Sequence, residues 1–138
     1  MRILCCGSRD FRDQDLVRTV LRTWDPELVA HGGAEGADSL VGLCTVAAVY
    51  PADWKKHGKA AGPIRNAKML ADFKPDAVFA FINPGKMTPG TADMVKKARA
   101  AKVPVMIFEA KKGYSNDSPE AFPKSQVDDP APAKNPTR

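Results

Sequence analysis

An α/β domain with a mostly parallel, five-stranded sheet between helical layers is the fold the sequence predicts, and three observations predict it. Apolar runs too short for helices recur at residues 3–6, 28–30, Ala77–Ile82 and 103–108, as strands buried on both faces do. Between them lie segments whose apolar residues return every three or four positions, the helical spacing. Glycine-rich turns follow three of the runs, at Gly7, at Gly32–Gly33–Gly36 and at Gly85–Gly90. Such alternation gives a parallel sheet covered by helices on both faces. Right-handed crossovers then bring every strand-to-helix turn to one edge of that sheet.

Taken in order, Ile3, Leu4, Cys5 and Cys6 form a first strand that stops at Gly7, and Gly7-Ser8-Arg9-Asp10 is its turn. Asp13 or Asp15 caps a helix that carries Leu16, Val17, Val20, Leu21 and Trp24 on one face and ends at Pro26. Leu28, Val29 and Ala30 form the second strand, and residues 31–38, HGGAEGAD, open the next helix. Only 13 steps separate Asp38 from Pro51. A crossover helix and a third strand must share them, which predicts a short helix from Ala37 to about Leu43 and a strand from Thr45 or Val46 to Tyr50. Residues 51–62 read as a long polar loop, and Pro63 as the first residue of a helix running to Phe73. That helix is expected to bury Ile64, Ala67, Leu70 and Ala71. The fourth strand, Ala77–Ile82, leads into the turn Asn83-Pro84-Gly85-Lys86-Met87-Thr88-Pro89-Gly90, then a helix from Thr91 to about Ala101 and a fifth strand at 103–108.

Residues 1–112 read as one domain. From Tyr114 to Arg138, 25 residues hold five of the 12 prolines and almost no apolar periodicity, so 113–138 are expected to be a disordered tail. With 43% hydrophobic and 27% charged residues in 138, the composition is that of a soluble globular protein. A net charge of +5 favours anionic partners, although the lysines and arginines are scattered rather than gathered in a nucleic-acid stripe. Cys5, Cys6 and Cys44 are an odd number with two adjacent, which argues against a disulfide framework and for a reducing cytoplasm. No Cys/His grouping has metal-ligand spacing, so neither a metal nor a cofactor is implied. The longest uncharged run, residues 39–52, is shorter than the roughly 20 residues a membrane helix needs. No membrane association is expected.

In the order 3-2-1-4-5, strands 1 and 4 are neighbours at the switch point, so the turns at Gly7 and at Gly85–Gly90 flank one crevice. The strand, glycine turn and helix start around Pro84, Gly85, Gly90 and Thr91 make an anion site, because the first N–H groups of a helix lack partners and the dipole is positive there. An ordinary turn capped by Thr91, with Asp93 facing the dipole, is the alternative. Arg65 lies near the start of its helix, where a cation opposes the macrodipole. A phosphate held by its guanidinium removes that conflict. Ser8 is placed to donate to such a phosphate and Arg9 to neutralise it. Gly32, Gly33 and Gly36 allow close backbone approach, and Asp38 accepts from ribose hydroxyls, caps its helix or ties down the turn. Trp54 stacks on a base or anchors its loop. His31, Cys5 and Cys6 read as core.

Together, GSRD at 7–10, HGGAEGAD at 31–38, YPADW at 50–54, AGPIRN at 61–66 and PGKMTPGTADM at 84–94 resemble the SLOG superfamily, closest to its small YspA-like members from phages and bacteria. The resemblance covers about residues 1–110 and implies a Rossmann-like, three-layer fold and a nucleotide-related ligand. It adds Ala34 and Asn66 to the expected binding residues. The superfamily includes the LOG phosphoribohydrolases, the DNA-uptake protein DprA, and sensors of nucleotide-derived signals. The LOG enzymes carry R-K-x-x-M and PGGxGTxxE. Arg65, Asn66 and Met69 match the first with asparagine for lysine, and Pro84, Gly85, Gly90 and Thr91 match the second with inserted residues. The catalytic glutamate's position is Met94, which cannot transfer a proton. The expected function is therefore binding of a nucleotide or nucleotide-derived ligand, to sense or sequester it. One rival is N-glycosidic cleavage of nucleoside monophosphates, with Arg65 and Asp93 as catalytic residues. A second is DprA-like binding of single-stranded nucleic acid. Exposed helix faces leave room for a homo-oligomer.

Overall fold

In the computed structural model, residues 1–111 are described, and the tail expected at 113–138 lies outside them. The chain runs β1 (Arg2–Gly7), α1 (Gln14–Trp24), β2 (Leu28–His31), α2 (Ala37–Cys44), β3 (Ala48–Val49), α3 (Trp54–His57), a 3-10 turn (Gly58–Ala60), α4 (Ala61–Phe73), β4 (Ala77–Ile82), α5 (Pro89–Ala100) and β5 (Val105–Glu109). The five strands form one sheet in the order β3-β2-β1-β4-β5, and every pairing is parallel. This Rossmann-like arrangement is the expected one.

Alternation along the central strands sorts the core into two layers. Ile3, Cys5, Phe79 and Phe81 face α1 and α2 together with Leu16, Val17, Val20 and Val41. Leu4, Cys6, Val78 and Ala80 face α4 and α5 together with Met69, Phe73, Met94 and Val95. On the first side Phe79 sits between Trp24 and Phe108, each ring centroid 5.2 Å away and near edge-on, a favourable aromatic geometry. The α1 stripe buries all five expected residues, and its N-cap is Asp13, whose carboxylate accepts from the Leu16 N–H.

Four expectations are corrected. Helix α2 extends to Cys44 and β3 shrinks to two residues, because Thr45 closes the helix and Val46 lies 96% exposed. The 13-step constraint is thus met by shortening the strand. Residues 51–62 are not a loop. Asp53 accepts from the Lys56 N–H and starts α3, the 3-10 turn follows, and α4 begins at Ala61. Pro63 is therefore its third residue, where no intrahelical N–H bond is lost. The inward face of α4 is Gly62, Asn66, Met69 and Phe73, while Ile64, Ala67 and Ala71 are exposed. Finally, α5 starts at Pro89 behind Thr88, and Val103 closes its C-terminus by donating to the Ala98 carbonyl, so β5 begins at Val105.

Candidate functional site

The sheet edge at the strands' C-terminal ends carries a cleft of about 620 Å³. It lies where β1 and β4 are neighbours and their helices leave on opposite faces, the switch point at which such sheets bind ligands. Its floor is Cys5, Cys6 and Gly7 at the tip of β1. Its walls come from Arg9, from Ala34 and Asp38, from Gly62, Arg65 and Asn66 on α4, and from Gly90, Thr91 and Asp93 on α5. Trp54 and Lys59 contribute from the α3 segment. An adjoining hollow of about 290 Å³ shares Arg9, Ala34, Trp54 and Arg65 and adds Gly32 and Gly33.

Three turns far apart in sequence thus meet at one rim. Arg65 stands on the same rim as Gly7 and Gly90, although not as the dipole conflict suggested, since α4 begins four residues before it. Its Nη1 donates to the carbonyls of Gly32 (2.6 Å) and Tyr50 (3.2 Å), and its Nε to Asn66 Oδ1 (3.0 Å). These bonds fasten the turn after β2 and the end of β3 to α4. They leave Nη2 without a hydrogen bond among the described residues, and every acceptor is a neutral oxygen. Burial lowers the pKa of Arg65, yet an arginine stays charged at any physiological pH. The charge of Asp38 partly offsets that of Arg65, but no carboxylate among the described residues is hydrogen-bonded to the guanidinium, which leaves it suited to an anion.

Asn66 is 5% exposed. Its Nδ2 donates to the Gly90 carbonyl (3.2 Å) and to Asp93 (3.0 Å), tying α4 to the first turn of α5. Asp93 also receives Lys97 Nζ at 2.5 Å. Partial burial works to raise its pKa, but the hydrogen bonds from Lys97 and Asn66 prevail and hold its carboxyl below the usual value. It is a fixed anion rather than a proton donor. Met94, at the LOG glutamate's position, is fully buried in the core.

At the start of α5, Thr88 offers no side-chain cap, and the Gly90 and Thr91 N–H groups lie within the first turn, ahead of any intrahelical acceptor. A Cβ on Gly90 would meet nothing within 4 Å, so protein packing does not require glycine there. Thr91 is buried, with its Oγ1 3.1 Å from that of Thr88. Across the cleft, the Arg9 guanidinium lies over the half-exposed Trp54 ring, 5.3 Å from its centroid.

Other expected residues are placed differently. Ser8 is fully buried, and its backbone bonds to Phe81, Phe11 and Ala37, so its hydroxyl is not on the cleft wall. Gly36 has φ +76°, and its missing side chain admits the Ser8 and Arg9 carbonyls. Gly7 likewise makes room for Phe81 and Ala37, although it also lies on the cleft floor. Pro84 and Gly85 belong to a turn outside the cleft, closed by Lys86 N–H to the Asn83 carbonyl, with Gly85 φ +68°. The matched Pro84 and Gly85 thus sit in a turn of their own, and residues 86–89 separate it from Gly90 and Thr91 on the cleft wall. His31 is buried, and its Nδ1 accepts from the Gly33 N–H. Burial lowers its pKa and keeps it neutral, as expected of a core residue. Asp38 ties down its turn, accepting at Oδ2 from the N–H groups of Gly32 (3.1 Å) and Ala34 (3.2 Å). Cys5, Cys6, Asp10, Lys59, Gly62 and Thr88 are among the cleft residues that were missed. Asp10, Gly62 and Thr88 lie inside the stretches GSRD, AGPIRN and PGKMTPGTADM, a signal that could have found them.

The chain is 33% identical over 122 residues to the Gene 61 protein of Mycobacterium phage D29, an alignment that spans 78% of this chain and 95% of that protein. No family model matches the chain, and no solved structure does.

Proposed function

This chain belongs to the family of the phage Gene 61 protein, and we propose that it binds a nucleotide or nucleotide-derived ligand, to sense or sequester it. The observation that carries this reading is the convergence, in one cleft, of Arg9, Arg65 and the open first turn of α5. Two guanidinium groups with no carboxylate bonded to them among the described residues, and a helix start, form a phosphate site. The Trp54 ring at the mouth is placed to receive a base once Arg9 turns to the anion. A cleft of this volume has room for one nucleotide. The likeness of five motifs to the SLOG superfamily points the same way.

One observation keeps the N-glycosidase reading in view: Asp93 is an ionised carboxylate on the cleft wall beside Asn66. Met94, at the position of the LOG glutamate, supplies no carboxyl and is buried in the core. Binding without turnover is the better-supported reading.

The test is calorimetric titration with nucleoside 5′-monophosphates, alongside chromatography for released base. Binding that weakens at least about tenfold in Arg9→Ala, with no free base, is the expected result. Release of base that Asp93→Asn abolishes would establish the enzyme instead. Preference for single-stranded DNA with a steep salt dependence would favour the nucleic-acid reading.

A further inference from the structure

Three carboxylates line the cleft, and two of them are satisfied. Asp10 accepts from Asn83 Nδ2 at 3.0 Å and pairs with Lys86 at 3.5 Å. Asp93 has Asn66 and Lys97. Asp38 differs. It is 5% exposed, both backbone donors approach Oδ2, and Oδ1 is buried with no hydrogen bond among the described residues. A dry carboxylate oxygen is costly unless a donor reaches it. Ser8 Oγ and Trp24 Nε1 are also buried without a hydrogen-bond partner among the described residues, but neither lies on the cleft wall.

Chain topology fixes what could stand there. Strand β1 lies between β2 and β4, so the start of α2, which holds Asp38, and the start of α5 are on opposite sides of the β1 tip. On the nucleotide reading, a 5′-phosphate at Gly90 and Thr91 would leave the sugar over Cys6 and Gly7, its hydroxyls toward Asp38, and the base toward Trp54. We infer that Asp38 Oδ1 accepts a hydrogen bond from the ribose cis-diol, which makes the cleft selective for ribonucleotides over deoxyribonucleotides. The assignment rests on the nucleotide reading above and adds the sugar to it. Burial raises the Asp38 pKa, against the backbone bonds from Ala34 and Gly32 and the charges of His31 and Arg65.

The test compares the affinities of AMP, IMP and UMP with those of the 2′-deoxy and 3′-deoxy forms of each, in the wild type and in Asp38→Asn. The substitution keeps an oxygen for the Gly32 and Ala34 N–H groups and puts NH₂ where Oδ1 was, because the reverse orientation would set donors against donors. In the wild type, loss of one sugar hydroxyl should weaken binding about 10- to 100-fold whatever the base, the range of a hydrogen bond to a charged group. In Asp38→Asn that preference should shrink at least about fivefold, to that of a neutral bond. Equal binding of ribo and deoxy forms by the wild type overturns the assignment. So does a preference that follows the base's amino group, or one that Asp38→Asn leaves intact. In each of these cases nucleotide binding itself stands. If no nucleotide binds the wild type, the nucleotide reading fails and the assignment with it.

Discussion

Replacing Gly90 with alanine separates the fold from the site. Gly90 is the second residue of α5, its φ is not positive, and an added Cβ would meet no atom within 4 Å. Nothing in the protein resists the change. Alanine also narrows the unfolded ensemble and is the better helix former, so Gly90→Ala should stabilise the protein by about 0.4–1 kcal/mol. For a domain of this size that raises Tm by about 2–6 °C. The same methyl leans toward the N-terminus of α5, as every helical Cβ does, into the space a phosphate needs to reach the Gly90 and Thr91 N–H groups. Nucleotide affinity should fall at least about tenfold, the loss of one or more charge-assisted hydrogen bonds. Thermal unfolding by circular dichroism measures the first effect and calorimetric titration the second. A variant that is stabilised and binds nucleotides as well as the wild type would refute the placing of an anion at this turn.

Asn66→Ala removes a buried amide that donates to Gly90 and Asp93 and accepts from Arg65, and should cost about 2–4 kcal/mol in urea unfolding. A loss under about 0.5 kcal/mol would show that the α4–α5 tie does not matter to stability. Phe79→Ala, between Trp24 and Phe108 in the core, should cost about 3–5 kcal/mol in the same assay. Asp93 sets a pH dependence. Its folded-state pKa lies below the unfolded value, so its stabilising effect is present above about pH 4 and is lost as pH falls through the folded value. Asp93→Asn should therefore flatten the acid limb of the stability curve, and an unchanged limb would contradict the bonds from Lys97 and Asn66.

What could be read from the sequence was whatever depends on near neighbours. Apolar runs of the right length gave strands β1 and β4, and the Leu16–Val17–Val20–Leu21–Trp24 spacing gave α1 with its inward face. Right-handed crossovers then brought Gly7, Arg65 and Gly90 to one rim. The inward face of α4 could not be read in this way, because alanines, glycines and Ile64 fit several faces equally. The choice rests on Asn66 finding partners 24 and 27 residues away. Glycines were equally ambiguous. Gly7 and Gly36 are small to let backbone and Ala37 approach, while Gly90 has no such neighbour, and sequence alone gives the three the same letter. Ser8 read as a turn serine facing a ligand, but its backbone bonds to three separate segments pull it under the surface.

The most direct test of the cleft is a ¹⁵N-resolved NMR titration of the full chain with AMP. A nucleotide seated at the switch point should shift the amides of Gly7, Arg9, Ala34, Gly90 and Thr91 and the Trp54 indole N–H together, while the buried Trp24 indole stays still. Shifts confined to another face, or none at millimolar AMP, would contradict it.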